Sequence, residues 1–159
     1  MPRKKSSSSP VSTAAPAPRG KVLVIEDEPE FFTWVEDLFD HHGLDVVYAK
    51  NLDEAGLRLK DKPKYRLIVV DMNIPAPSGI DSATKKITPL SERYPGISAA
   101  IQARSEGYKP SEVIVYTVYD DETIAAQIEK IDCRYVLKGR PDAFKQRILI
   151  SLGKHGKPV

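Results

Sequence analysis

Apolar residues in this chain gather in five short runs: 22–25 (VLVI), 44–48 (LDVVY), 65–70 (YRLIVV), 113–117 (VIVYT) and 134–138 (RYVLK). Runs of this length, rich in Val and Ile, suit strands buried on both faces of a parallel sheet. Between them the apolar spacing changes to three and four. Phe31, Trp34 with Val35, and Leu38 form one such face, closed by Gly43. Asn51 with Glu54 three residues on reads as a capping box, and Leu52, Ala55 and Leu59 follow as a helical face. Ile124, Ile128 and Ile131 make another, and Pro141 opens a last helix carrying Phe144, Ile148 and Leu152. Strand and helix alternate five times, which predicts an α/β fold with a parallel sheet and right-handed crossovers.

One zone breaks the alternation. Residues 80–112 contain Pro89, Pro95, Gly96, Gly107 and Pro110. A helix is expected over Ile97–Ser105, with Ile97 and Ile101 inward. The stretch before it is too long for a simple strand-to-helix connection. It reads as an insertion of about residues 80–95 between the third and fourth strands, with some helix of its own. The expected domain therefore spans 21–153, with a short tail over 154–159.

Composition alters this picture at the start of the chain. Residues 1–20 hold no acid and no aromatic, and a cluster of Ser, Pro and Ala beside basic residues. Such a segment cannot bury enough surface to offset its conformational entropy, and it is expected to be a disordered basic tail. No apolar segment follows Arg3, Lys4 and Lys5, so it is not expected to be a secretory signal. The formal charge of +2 hides an asymmetry, because five basic residues lie within 1–21. From residue 22 on, 19 basic residues stand against 22 acidic ones, so a nucleic-acid-binding domain is not indicated. No membrane span is predicted. The single cysteine, Cys133, excludes an internal disulfide and reads as a small core residue. A cytoplasmic location is the expectation.

Candidate chemistry lies at the strand ends. The first run ends in Glu26 and Asp27, the third in Asp71, the fourth in Thr117 and the fifth in Lys138. Ligands of open parallel sheets bind along the carboxyl edge at the topological switch point. In a flavodoxin-like (βα)5 doubly wound sheet of order 2-1-3-4-5, strands one and three are neighbours there. Glu26, Asp27 and Asp71 then converge, and their mutual repulsion asks for a hard cation such as Mg²⁺. An acid after a strand is commonly only a turn or cap residue. The set of five at one edge points instead to an anion held beside a metal, the equipment of phosphoryl transfer.

The motifs VLVIEDEP, DMNIPAPSG, VIVYTVYDD and YVLKG together resemble the receiver domain of bacterial response regulators, over residues 21–153. The resemblance implies that Asp71 is the phosphoacceptor of a two-component or phosphorelay system. It implies that Asp27 binds Mg²⁺ directly, Glu26 through water, and Asn73 through its carbonyl, with Asp71 completing the metal site. Thr117 is implied to hydrogen-bond the phosphoryl group and Lys138 to form an ion pair with it. Tyr135 takes the place of a switch aromatic, and Met72 and Val118 flank the phosphoryl site. The implied partners are a sensor histidine kinase or phosphotransfer protein and a downstream protein, with no direct DNA-binding domain. The implied role is that of a signalling phosphoacceptor and not of an enzyme acting on a separate substrate.

The chain departs from the family pattern in three places. Gly139 follows the lysine where a cis-proline is usual, Val118 follows Thr117 where a small residue is usual, and the 80–95 insertion is extra. The competing reading is a receiver-like adaptor that works without phosphorylation; retention of Glu26, Asp27, Asp71, Thr117 and Lys138 weighs against it. A phosphatase of the haloacid-dehalogenase type calls for a second Asp where Asn73 stands. A flavodoxin calls for a phosphate loop where the acidic EDEPEFF lies.

Overall fold

The computed structural model describes residues 19–80 and 88–153. Its five strands are β1 (Gly20–Ile25), β2 (Leu44–Ala49), β3 (Leu67–Asp71), β4 (Val113–Thr117) and β5 (Arg134–Leu137). They form one parallel sheet in the order β2-β1-β3-β4-β5. The helices are α1 (Thr33–His41, preceded by a 3₁₀ turn over Pro29–Phe32), α2 (Leu52–Arg58), α3 (Pro89–Arg93), α4 (Pro95–Ser105), α5 (Glu122–Lys130) and α6 (Pro141–Ser151). The parallel flavodoxin-like architecture expected from the alternation is the one observed.

The uninterrupted apolar runs are explained by a sheet covered on both sides. Leu23, Ile25, Ile68, Val70, Val113 and Val115 point to a core completed by α2, α4 and α5. Val22, Val24, Leu67, Val69, Ile114 and Tyr116 point to the other core, completed by α1 and α6. Successive strand residues face opposite ways, so each run must be apolar throughout. Phe144, Ile148 and Leu152 are buried on this second side, as their spacing requires.

Helix α1 is set differently from its expected phase. Phe32, Val35 and Phe39 are buried, whereas Trp34 is 36% exposed and Leu38 only partly covered. The Phe31 side chain lies outside the described residues. Phe32 meets Tyr116 and Phe144 edge-on, at 5.2 and 5.7 Å between centroids, and Trp34 rests on Phe144 at 5.9 Å. Edge-to-face packing on Tyr116 of β4 and Phe144 of α6 thus turned the Phe32 stripe inward. Asn51 does cap α2, its side chain accepting the Glu54 N–H at 2.9 Å. The Glu54 carboxylate reaches back to the N–H of Lys50, one residue before the cap. Arg19 and Gly20 belong to the folded part: Gly20 opens β1, and Arg19 pairs with Asp40 at 2.6 Å and Asp45 at 2.8 Å. Of the tail expected over 1–20, residues 1–18 lie outside the described residues, as do the tail over 154–159 and residues 81–87 of the expected insertion.

What the insertion delivers is a start for α4 pressed against the end of β3. The short helix α3 is capped by Thr88, which exchanges hydrogen bonds with Ser91. Tyr94 then ends α3 and begins α4. The Gly96 N–H donates to the Met72 carbonyl at 2.9 Å. A Cβ at position 96 would lie 1.9 Å from the Asp71 carbonyl oxygen and 2.8 Å from the Met72 Cα. Both obstacles are backbone, so neither has a rotamer by which to move aside. Gly96→Ala is expected to destabilise the protein by at least the ~1–3 kcal/mol typical of overpacking, measured as a fall in the urea midpoint with unchanged slope.

Candidate functional site

The carboxyl ends of β1, β3 and β4 and the residue after β5 surround one open cavity of about 420 Å³. Glu26, Asp27, Glu28, Asp71, Asn73, Thr117, Val118, Tyr119 and Lys138 line it. The register explains the convergence. Ile25 pairs with Val70, Asp71 with Tyr116, and Thr117 with Leu137, so the next residue of each strand reaches the same edge. The ladder continues one step past β5, where the Lys138 N–H donates to the Thr117 carbonyl at 2.7 Å. Main-chain pairing therefore places the lysine.

Glu26, Asp27 and Asp71 each offer a carboxylate oxygen within 4.8 Å of the others. Lys138 Nζ lies 2.7 Å from Asp71 Oδ2 and 3.3 Å from Glu26 Oε2. The remaining oxygens are also engaged. Asp71 Oδ1 accepts the Asn73 N–H at 3.1 Å, and Glu26 Oε1 accepts the Glu28 N–H at 3.2 Å. One ammonium thus faces three carboxylates, a set with unmet demand for positive charge. Oxygen donors from two strand ends, one side open to water, fit a hard divalent cation. Asp27, Asp71 and Asn73 all lie on the cavity wall.

Burial and charge together shift the protonation of Glu26. It is 4% exposed. Burial first, and then the neighbouring Asp71 charge, push its carboxyl up to about 7, against the opposing pull of Lys138. Burial works against the Lys138 charge, but the hydrogen bond and charge of Asp71, aided by Glu26, outweigh it and raise its pKa. Thr117 is buried, and its Oγ accepts the Tyr119 N–H at 3.2 Å. A hydroxyl that accepts still has its own proton to give, and Thr117 lies on the cavity wall.

The other residues singled out from sequence fall in three places. Val118 is at the mouth and 66% exposed. Tyr135 is outside the cavity, partly buried against the core, and its hydroxyl donates to the Tyr119 carbonyl. Met72 is fully buried in the core on the α4 side and does not line the cavity. Gly139 has φ +81°, a conformation that proline cannot adopt, so the loop after Lys138 turns by a different route from the proline-containing one. Burial pushes the Cys133 thiol up to about 12, in keeping with a core residue. Two lining residues carried no separate expectation. Glu28 is the third acid of the EDE stretch, a signal available in the sequence; Tyr119, two residues past Thr117, had none.

No protein-family model and no curated protein matches the chain. Solved structures do. The N-terminal receiver domain of RstA from Klebsiella pneumoniae, BeF3-activated, aligns with TM-score 0.62 at 20% identity, covering 84% of this chain and 98% of that one. The receiver domain of the Francisella response regulator 1452 aligns with TM-score 0.60 at 22% identity, covering 86% and 98%. The non-phosphorylated HemR receiver domain from Leptospira biflexa gives 0.63 at 14%, covering 89% and 99%. The chain has the receiver-domain fold. At these identities the likeness is one of architecture. In a receiver fold the carboxyl edge of β1 and β3 is the switch point of the sheet, and here it is the edge that carries the acid cluster. No helix among the described residues is long and apolar enough to cross a membrane.

The Glu26 shift sets a pH dependence. The folded protein holds this proton to higher pH than the unfolded chain, whose carboxyl titrates near 4.5. Its contribution to stability is full below that value and is lost as pH rises through about 7. The metal-free protein should therefore melt at a lower temperature at about pH 8 than at about pH 5, and Glu26→Gln should flatten that fall.

Proposed function

We propose that this chain is a phosphoacceptor of two-component signalling, phosphorylated on Asp71 with Mg²⁺ as cofactor. One observation carries the reading: a carboxylate at the end of β3 sits inside a cation-seeking triad, with an ammonium 2.7 Å away. The receiver fold and the open cavity over that carboxylate support it.

The residues divide the work by their chemistry. Asp71 supplies the nucleophile: one carboxylate oxygen forms a bond to phosphorus as the donor's bond to phosphorus breaks, leaving an acyl phosphate. For a phosphohistidine donor the P–N bond breaks and the imidazole keeps the electron pair. Asp27, Asp71 and the Asn73 carbonyl would hold Mg²⁺, with Glu26 acting through water. The metal supplies positive charge that offsets the phosphoryl oxygens beside three acids. Lys138 transfers its ion pair from the Asp71 carboxylate to a phosphoryl oxygen, and the Thr117 hydroxyl donates a hydrogen bond to another. No second substrate is called for; the protein acts on itself and on its donor.

The output is a change on the face formed by β4, α5 and β5. Thr117 and Tyr135 are linked through Tyr119, whose N–H bonds one and whose carbonyl accepts from the other. Drawing the Thr117 hydroxyl toward a phosphoryl group alters that link and so the setting of Tyr135. A histidine kinase or phosphotransfer protein is the proposed donor, and a protein that reads this face is the proposed target.

Intact mass after incubation with Mg²⁺ and acetyl phosphate tests the reading. A phosphoryl adduct is expected on the wild type and none on Asp71→Ala, with both folded by circular dichroism. A persistent adduct on Asp71→Ala would remove the assignment. An unlabelled wild type that binds Mg²⁺ would favour a phosphorylation-independent adaptor. Asp27→Ala should weaken Mg²⁺ binding, read by isothermal titration, by roughly tenfold or more, since it removes a charged ligand; unchanged affinity would relocate the metal.

A further inference from the structure

A contact outside the acid cluster connects the cavity to the segment between β3 and α4. Tyr94, at the junction of α3 and α4, is fixed by its backbone: its N–H donates to the Leu90 carbonyl at 2.8 Å, and its carbonyl accepts the Ile97 N–H at 3.0 Å. Its side chain is almost fully buried. Its ring lies 5.1 Å from that of Tyr119, tilted by 49°. Tyr119 belongs to the loop between β4 and α5. That loop is anchored at its far end by Asp121, which caps α5 by accepting the N–H groups of Thr123 and Ile124. Within the loop, Val118 and Asp120 are exposed, and the Tyr119 ring meets Tyr94. The Tyr119 backbone bonds both the Thr117 hydroxyl and the Tyr135 hydroxyl.

We propose that Tyr94 is a positioning residue for the Asp71 site. Its ring holds Tyr119 and, through the Tyr119 backbone, sets the Thr117 hydroxyl on the cavity wall and the Tyr135 ring behind it. The consequence for phosphorylation rests on the phosphoacceptor reading; the latch itself does not. The latch is a property of the segment between β3 and α4, because Tyr94 is delivered by the α3–α4 junction and not by any strand end. A donor held in place before reaction costs no reorganisation during it. Freeing the loop lets Thr117 swing away from the bonding position and slows the transfer. The segment thereby becomes a control point: whatever moves α3 moves the group that receives the phosphoryl oxygen.

The test uses the full chain with Tyr94→Leu, Tyr94→Phe and Tyr119→Leu. The last approaches the contact from its half-exposed side, so it loosens the latch without opening the core. Two readouts are taken: amide ¹H–¹⁵N shifts of Thr117, Tyr119 and Tyr135 in unphosphorylated protein, and the rate of phosphorylation by acetyl phosphate with Mg²⁺. Both leucine variants should shift those amides and slow phosphorylation by roughly threefold to tenfold, the size of one aromatic pair. Tyr94→Phe, which keeps the ring, should match the wild type in both. The proposal is overturned if Tyr94→Leu leaves the three amides in place. It is also overturned if the leucine variants react as fast as the wild type or faster, or if Tyr94→Phe behaves like Tyr94→Leu. A wild type that takes no phosphoryl group sinks the phosphoacceptor reading, and the amide shifts alone then decide the latch.

Discussion

Three carboxylates and one ammonium meet at the carboxyl edge of the sheet, and most of the structure around them serves to keep them there. Asp71 Oδ2 and Glu26 Oε2 share Lys138 Nζ, while the second oxygen of each acid is held by a main-chain N–H. With one positive charge against three acids the cluster is under electrostatic load even with its lysine in place. Burial first, and then the Asp71 charge, push the Glu26 carboxyl up. Such an arrangement would relax by turning side chains outward if the scaffold allowed it. For Glu26 and Asp71 it does not, because both are buried at the ends of strands covered on both faces, and the register brings those ends level; Asp27, the next residue along, is exposed.

The backbone around Asp71 is held as firmly as its side chain. Gly96 brings the first turn of α4 into contact with the Asp71 and Met72 main chain, at a spacing no side chain tolerates. On the opposite wall, the Thr117 carbonyl accepts the Lys138 N–H, tying β4 to the lysine loop. The loop after Thr117 is the less constrained part. It is fixed at one end by the α5 cap and in its middle by the Tyr94–Tyr119 contact. The acids thus sit on the firmly held side of the cavity, and the Thr117 hydroxyl on the side bounded by this loop.

Much of this was legible in the residue pattern, and the misses have definite causes. The five strands and the alternation were readable because a doubly covered strand admits only apolar residues, a constraint visible without coordinates. The strand-end residues were readable because a parallel sheet sends all its carboxyl ends one way. The phase of α1 was not readable. Trp34 and Val35 are adjacent, either stripe satisfied the spacing, and the choice lay with Tyr116 and Phe144, far along the chain. The family resemblance set Met72 beside the phosphoryl site; what the structure adds is that its side chain is buried in the core on the α4 side, the same side as Ile68 and Val70. The roles of Gly96 and Tyr94 were hidden as well. A Pro-Gly pair in an irregular zone reads as a turn, and the close approach it permits is to a backbone 25 positions earlier.

By itself the sequence determined the class of fold, the burial of the sheet and the identity of the five groups at its edge, since each follows from local periodicity and strand direction. Only the tertiary structure decided how those groups share charge. Which oxygen Lys138 meets, which acid becomes hard to ionise and which ring holds the β4–α5 loop depend on distances between residues remote in the chain. Coulomb energies and aromatic contacts act over a few ångströms of space, and the order of residues alone leaves that spacing open.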